Sequence, residues 1–173
     1  MKQSNYEKVL NLFFDNPNGK FYIREIARIT KLNPNTILNI TNELEKEVVV
    51  KREKKKHIVE LSAVLDDKFK TLKKIDNLKK VYDSGIIDFL KGKFSPEAIV
   101  IIGSYSIGED VRDSDVDIII LTKKDYKDVD LTGFEEKLNR KIHLIITDYN
   151  KISEEFYINL INGIVLYGAI NKK

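Results

Sequence analysis

Two short apolar runs, Ala98–Ile102 and Val116–Leu121, constrain this chain more than anything else in it, because of what stands beside them. Each run has strand length and is rich in β-branched residues, which predicts two buried strands. Gly103-Ser104 follows the first directly, and Asp115-Val116-Asp117 opens the second. Side chains two apart on a strand point to one face, so the spacing predicts that Asp115 and Asp117 aim at a single spot. Two carboxylates aimed together suit Mg2+ or Mn2+, since such ions take oxygen ligands from a few carboxylates, water and phosphates. A glycine lets the backbone approach a phosphate, and the neighbouring hydroxyl and amides can donate to its oxygens. The pattern therefore predicts a phosphate cradle at Gly103 and Ser104 beside a metal clamp. Asp-x-Asp sequences also occur in turns, where they cap backbone amides. The fixed Gly-Ser and the flanking strands argue for the clamp.

Gly-Ser, ten intervening residues and Asp-x-Asp between hydrophobic strands, with the wider run Ile101 to Asp110 and the later Val165-Leu166-Tyr167-Gly168, resemble the minimal nucleotidyltransferases of the DNA polymerase beta superfamily, their archaeal members in particular. The resemblance covers roughly residues 96 to 168. It implies a small mixed sheet backed by helices and transfer of a nucleoside monophosphate from ATP or another nucleoside triphosphate, with release of pyrophosphate. It further implies that Gly103 and Ser104 hold the triphosphate tail and that Asp115 and Asp117 are the catalytic metal ligands. Active members of the family usually carry a third carboxylate on a later strand. The corresponding strand here is Lys141–Ile146, which puts His143 at that position. Neutral imidazole is a poor magnesium ligand but can serve as a general base, so His143 is the third candidate catalytic residue and turnover stays open. Asp148 has the opposite parity and would substitute only if the strand ended or bulged before it. Glu109, Asp110, Arg112 and Asp113 read as a solvated turn, with Arg112 able to touch a phosphate.

Charge divides unevenly along the chain. Through Ser62 there are twelve Lys and Arg against eight Asp and Glu; from Ala63 onward there are eighteen against nineteen. The basic excess of the first segment points to a nucleic-acid-facing surface. Ser4 and Glu7 have capping-box spacing before Tyr6, Val9, Leu10, Phe13 and Phe14, which predicts a first helix. Phe21 to Thr30 predicts a second, with Ile23, Ile26 and Ala27 inward. After a turn, Asn33 and Pro34 open a third that buries Ile37, Ile40, Leu44 and Val48 and presents Asn35, Thr36, Asn39 and also Asn42 outward. Those polar side chains suit a major groove. Val48–Arg52 and His57–Leu61 predict a hairpin tipped by Lys54, Lys55 and Lys56, with His57 an ordinary residue of it. Residues 4 to 62 as a whole resemble a winged helix-turn-helix domain, and the resemblance implies double-stranded DNA as partner, read by the third helix and touched by the lysine wing. Outward Glu43, Glu45 and Glu47 would oppose a phosphate backbone, and such domains also serve protein contacts.

Between the two resemblances, Leu65, Phe69, Leu72, Ile75, Leu78, Val81 and Tyr82 recur at helical spacing, and Ser84-Gly85 interrupts the pattern before Ile86–Leu90. That stripe could line the chain's own core or pair with a second copy, and a homodimer would suit a winged helix. Leu131–Leu138 predicts a further short helix after a polar connection at Lys123–Asp130. The expected architecture is α+β: residues 1–62 a winged helix-turn-helix, 63–94 connecting amphipathic helices, and 95–173 a nucleotidyltransferase-like mixed sheet with helices. The absence of cysteine excludes disulfides, thiolate zinc sites and thiol nucleophiles. No apolar stretch is long enough for a membrane span or a signal core, which leads to the expectation of a cytoplasmic protein. Three functions remain open at this point. One is a DNA-binding transcription regulator whose second domain binds nucleotide and magnesium. Another is an active nucleotidyltransferase acting on a protein, nucleic acid or small molecule. The third is the antidote partner of a toxin.

Overall fold

Capping chemistry sets the first helix. Ser4 Oγ accepts the Glu7 amide at 3.1 Å, and Glu7 Oε2 accepts the Ser4 amide at 2.9 Å, a reciprocal pair that stabilises a helix start by about 1 kcal/mol. It opens α1 (Asn5–Asp15) in a computed structural model that describes residues 4–55, 58–124 and 129–170. The chain divides into two units, Met1–Lys70 and Thr71–Lys173.

In the first unit, α1 is followed by β1 (Lys20–Phe21), α2 (Ile23–Thr30), α3 (Pro34–Lys46), β2 (Val50–Lys55) and β3 (Ile58–Ala63), with an antiparallel sheet ordered β1-β3-β2. Val9, Phe13, Ile26, Ile37, Leu44 and Leu61 are buried at its core. Phe21, expected to begin the second helix, lies in β1 instead. It pairs with Leu61 and meets the Phe13 ring edge-on at 5.3 Å, so packing rather than helix propensity fixes its backbone. Val48, expected inward, is 56% exposed because its φ of +59° turns the chain sharply after α3. Val49 and Val50 take the buried places. The hairpin is also longer than expected: Lys54 and Lys55 are strand residues opposite Val59 and Ile58, whereas Lys56 and His57 lie outside the described residues.

Helix α4 (Asp67–Ser84) begins in the first unit and continues into the second. Its fully buried positions are Phe69, Lys73, Asn77, Val81 and Ser84, while Leu72 and Leu78 are half-buried and Ile75 and Tyr82 exposed. The apolar stripe expected there is thus replaced in part by polar residues that find buried partners. Gly85, at φ +81°, separates α4 from α5 (Ile86–Phe94). The chain then runs through β4 (Ala98–Ile102), α6 (Gly103–Ile107), β5 (Val116–Leu121), α7 (Thr132–Leu138), β6 (Ile142–Thr147), a 3-10 turn at Tyr149–Lys151, α8 (Glu154–Ile161) and β7 (Ile164–Gly168). The polar connection at Lys123–Asp130 falls partly outside the described residues.

The second sheet is mixed and ordered β6-β5-β4-β7, with β4 antiparallel to both neighbours and β5 parallel to β6. On one face Ile99, Ile101, Val116, Ile118 and Ile120 pack with Ile86, Leu90 and Phe94 of α5. On the other, Ala98, Val100, Ile119 and Leu121 pack with Leu160 of α8. The polar start of β5 pins the register. A one-residue slip would exchange its faces and carry the Asp117 carboxylate toward the apolar layer beneath α5, where an unpaired charge is costly. Asp117 is held by that constraint on the α8 face, where only the end of the sheet lets a carboxylate reach water. No helix among the described residues is long and apolar enough to cross a membrane.

Candidate active site

Gly103 turns the chain from β4 into α6 at φ +72°. A Cβ placed there would stand 2.6 Å from Asp117 Oδ2, so the carboxylate lies directly against the glycine backbone. The register explains the meeting: Ile102 pairs with Asp117 across β4 and β5, and Asp117 pairs with His143 across β5 and β6. His143 Nδ1 lies 3.0 Å from Asp117 Oδ1. One carboxylate therefore has the Gly-Ser turn at one oxygen and an imidazole at the other. Asp117 is partly buried, with its side chain 29% exposed, whereas that of His143 is 63% exposed. Ser104, half-buried, stands in the first turn of α6, and Gly108 at φ +78° ends that helix.

Asp115 precedes β5 and is exposed, while Val116 between it and Asp117 is fully buried. Asp115 lines a cleft of about 490 Å³ with Arg112, Ser114, Glu135, Glu136 and Lys141. At its wall the Glu135 carboxylate accepts Lys141 Nζ at 2.7 Å and the Ile142 amide at 3.1 Å. These bonds hold Glu135 below the usual carboxylate range, and the same carboxylate, aided by Asp115, raises Lys141. Glu135 thereby fastens the start of the strand that carries His143. Among the described residues no group of three or more His, Asp or Glu is arranged to hold a metal ion. Asp148 lies beyond the far end of β6 and caps the 3-10 turn, accepting the Asn150 amide at 3.0 Å, so it does not stand in for the third carboxylate.

The loop between α6 and β5 is only in part the solvated turn expected from its sequence. Glu109, Arg112 and Asp113 are exposed, but Asp110 is 1% exposed and lies among Lys73, Asn77 and Arg140, all buried. Asn77 Nδ2 donates to Asp110 Oδ1 at 2.7 Å and to the Tyr105 carbonyl at 3.0 Å. Lys73 Nζ lies 3.3 Å from Asp110 Oδ1 and also donates to the Asp110 carbonyl. Arg140 approaches Asp110 Oδ2 at 3.6 Å and donates to the Arg112 carbonyl. No local pattern announces this cluster, since its members come from sequence positions 73, 77, 110 and 140.

In the first unit, Asn35 and Asn39 on α3 are exposed and Thr36 is half-buried. Asn42, expected outward, is half-buried and accepts Arg52 Nη2 at 2.7 Å. Arg52 Nε also pairs with Glu45 at 3.1 Å, tying β2 to the C-terminal half of α3. Lys54 is exposed, whereas Lys55 Nζ is bonded to Glu60 Oε1 at 3.0 Å, as is Lys20. The two ammonium groups depress the Glu60 pKa, Lys55 most, and Glu60 raises that of Lys55.

The family model described as Polymerase beta, Nucleotidyltransferase matches residues 84–171, half of the chain. That stretch contains Gly103, Ser104, Asp115, Asp117 and His143 and excludes Lys73 and Asn77. No curated protein and no solved structure matches the chain.

Proposed function

Since the chain belongs to the polymerase beta nucleotidyltransferase family, we propose that its residues 95–173 transfer a nucleoside monophosphate from ATP or another nucleoside triphosphate to an acceptor hydroxyl. The observation that carries this reading is the Asp117 carboxylate, set between the Gly103 backbone and the His143 imidazole. Gly103 and Ser104 hold the triphosphate tail through the serine hydroxyl and the close-lying backbone. Asp115 and Asp117 are the ligands for Mg2+ or Mn2+, and two carboxylates completed by substrate phosphates and water fit the oxygen preference of such ions. The cation, when bound, neutralises charge on the triphosphate and the departing pyrophosphate.

His143 supplies what the absent third carboxylate would have done. With Nδ1–H donating to Asp117 Oδ1, the tautomer is set and Nε2 is left as base. Nε2 takes the proton of the acceptor hydroxyl while its oxygen bonds to the α-phosphorus. The bond from that phosphorus to the bridging oxygen breaks, and pyrophosphate leaves. The second reading, a regulator that binds nucleotide without turnover, is favoured by the same substitution of imidazole for carboxylate, and both readings share the nucleotide site.

For residues 1–62 we propose a winged helix-turn-helix that docks on double-stranded DNA. Supporting this is the order of helices and strands in the first unit, closed by the β2–β3 hairpin. Asn35, Thr36 and Asn39 are the proposed base- and phosphate-reading residues, with Lys54, Lys55 and Lys56 as the wing. Glu60 already holds Lys55, which leaves Lys54 the stronger contact of these two.

The deciding experiment follows label from α-phosphate-labelled ATP with Mg2+ or Mn2+ and a cell extract as acceptor pool, comparing wild type with an Asp115→Asn, Asp117→Asn double variant. Label that reaches an acceptor only with wild type supports transfer and identifies the acceptor class. Nucleotide binding by the folded wild type with no label transferred to protein, nucleic acid or small-molecule fractions supports the regulator instead.

A further inference from the structure

The buried cluster around Asp110 has no part in the chemistry above, yet it touches every segment that brings a residue to that chemistry. Asn77 holds Asp110 and the Tyr105 carbonyl with one amide group, and Tyr105 follows Ser104. Arg140 lies in ion-pair range of the Asp110 carboxylate at 3.6 Å and donates to the Arg112 carbonyl, on the stretch that leads to Asp115. The residue after Arg140, Lys141, accepts the Val116 amide at 2.8 Å through its carbonyl, and His143 stands two positions beyond. The cluster around this one carboxylate thus joins the Gly-Ser segment, the Asp-x-Asp segment and the histidine strand.

Ionic groups of this kind are an inefficient way to stabilise a core. Apolar residues of similar volume often serve as well or better, whereas removing one partner strands a buried charge. What such a cluster specifies well is geometry, because a displaced loop leaves buried charge and buried amides unmatched. The loop concerned is the one that must carry Asp115 to a fixed place. Two of its anchors, Lys73 and Asn77, lie on α4 ahead of the stretch matched by the family model, so this bracing comes from the chain's own preceding helix.

We propose that Asp110 is a positioning residue of the nucleotidyl-transfer site. Held by Lys73, Asn77 and Arg140, it fixes the loop after α6 so that Asp115 stands ready beside Asp117 and in register with Ser104. This inference rests on the transferase reading of the site.

The test uses the full chain with Asp110→Asn, which keeps the shape and removes the charge, and with Asn77→Ala as a milder second variant. Free Mn2+ is titrated by electron paramagnetic resonance with and without ATP, well below each variant's thermal midpoint, and label transfer is followed over a range of Mn2+. Asp110→Asn should weaken Mn2+ binding about tenfold, the scale seen when groups that orient metal ligands are removed. Excess Mn2+ should restore kcat while the half-saturating metal concentration stays raised. Asn77→Ala should show the same effect at smaller size, and it decides the matter if Asp110→Asn does not fold. A folded variant with a lowered thermal midpoint but wild-type Mn2+ affinity would make the cluster scaffold only and overturn the proposal. If wild type itself binds no Mn2+ and ATP, the transferase reading falls and takes this inference with it; wild-type binding with unaltered variants removes only the role of Asp110.

Discussion

Gly103→Ala tests the centre of the site most directly. The added methyl would stand 2.6 Å from Asp117 Oδ2, whereas ordinary contact begins near 3.4 Å. Carboxylate or turn must therefore yield by about 0.8 Å. The backbone adds its own cost, since φ is +72° and an L-residue in the left-handed region loses about 1–2 kcal/mol. For a unit of roughly a hundred residues that corresponds to a fall in Tm of about 5–15 °C. A displacement approaching 1 Å at a reacting group can cost about a hundredfold in rate, so label transfer should drop by that order even where the variant is fully folded. Gly85→Ala is the control, because Gly85 has φ +81° but a methyl added there would meet nothing within 4 Å. It should lose similar stability and keep wild-type transfer and Mn2+ affinity. Two variants that destabilise equally and both retain wild-type transfer and Mn2+ binding would refute the claim that the bare glycine seats the Asp117 carboxylate.

His143→Ala should lower transfer by about 10²–10⁴, the usual worth of a general base, while leaving nucleotide binding measured by calorimetry close to wild type. The Glu60 carboxylate is held below its ordinary 4.5 by Lys55 and Lys20. Its contribution is therefore fully present above that pH and lost as the pH falls through the lowered value. Urea unfolding should show Glu60→Gln less stable than wild type at pH 7, with the gap narrowing as the pH falls below 4.5; a gap that does not narrow in acid would contradict the ion pairing. On the DNA side, Lys54→Ala with Lys56→Ala should weaken binding and reduce the salt slope by up to about 2. Lys55→Ala should change it less, and equal effects at all three lysines would show that Glu60 does not withhold Lys55.

The parts of the fold legible in the sequence are those governed by neighbours in the chain. Ala98–Ile102 and Val116–Leu121 are short, branched and apolar, so their strands declare themselves, and Ser4 with Glu7 or Asn33 with Pro34 mark helix starts by local chemistry. Where long-range contacts decide, the pattern misleads. Phe21 reads as helical until the Phe13 ring and the Leu61 ladder claim it. Val48 belongs to an inward series until one left-handed residue hands its place to Val49. Lys73 and Asn77 look like the polar side of an amphipathic helix because their partner, Asp110, is more than thirty residues away. The site divides along the same line: Gly103 and Asp117 are visible as a motif, His143 as its neighbour on a later strand, and the Asp110 cluster only in three dimensions.

The sheet order places β6 at an edge, with β5 on one side only, and His143 stands there with most of its ring in water. As the proposed base, His143 would need no relay there: the proton it accepts would pass straight to bulk solvent. The same openness makes the ring replaceable. With His143 shortened to alanine, free imidazole reaches the same open margin from solvent, so transfer lost in that variant should return in part as imidazole is added.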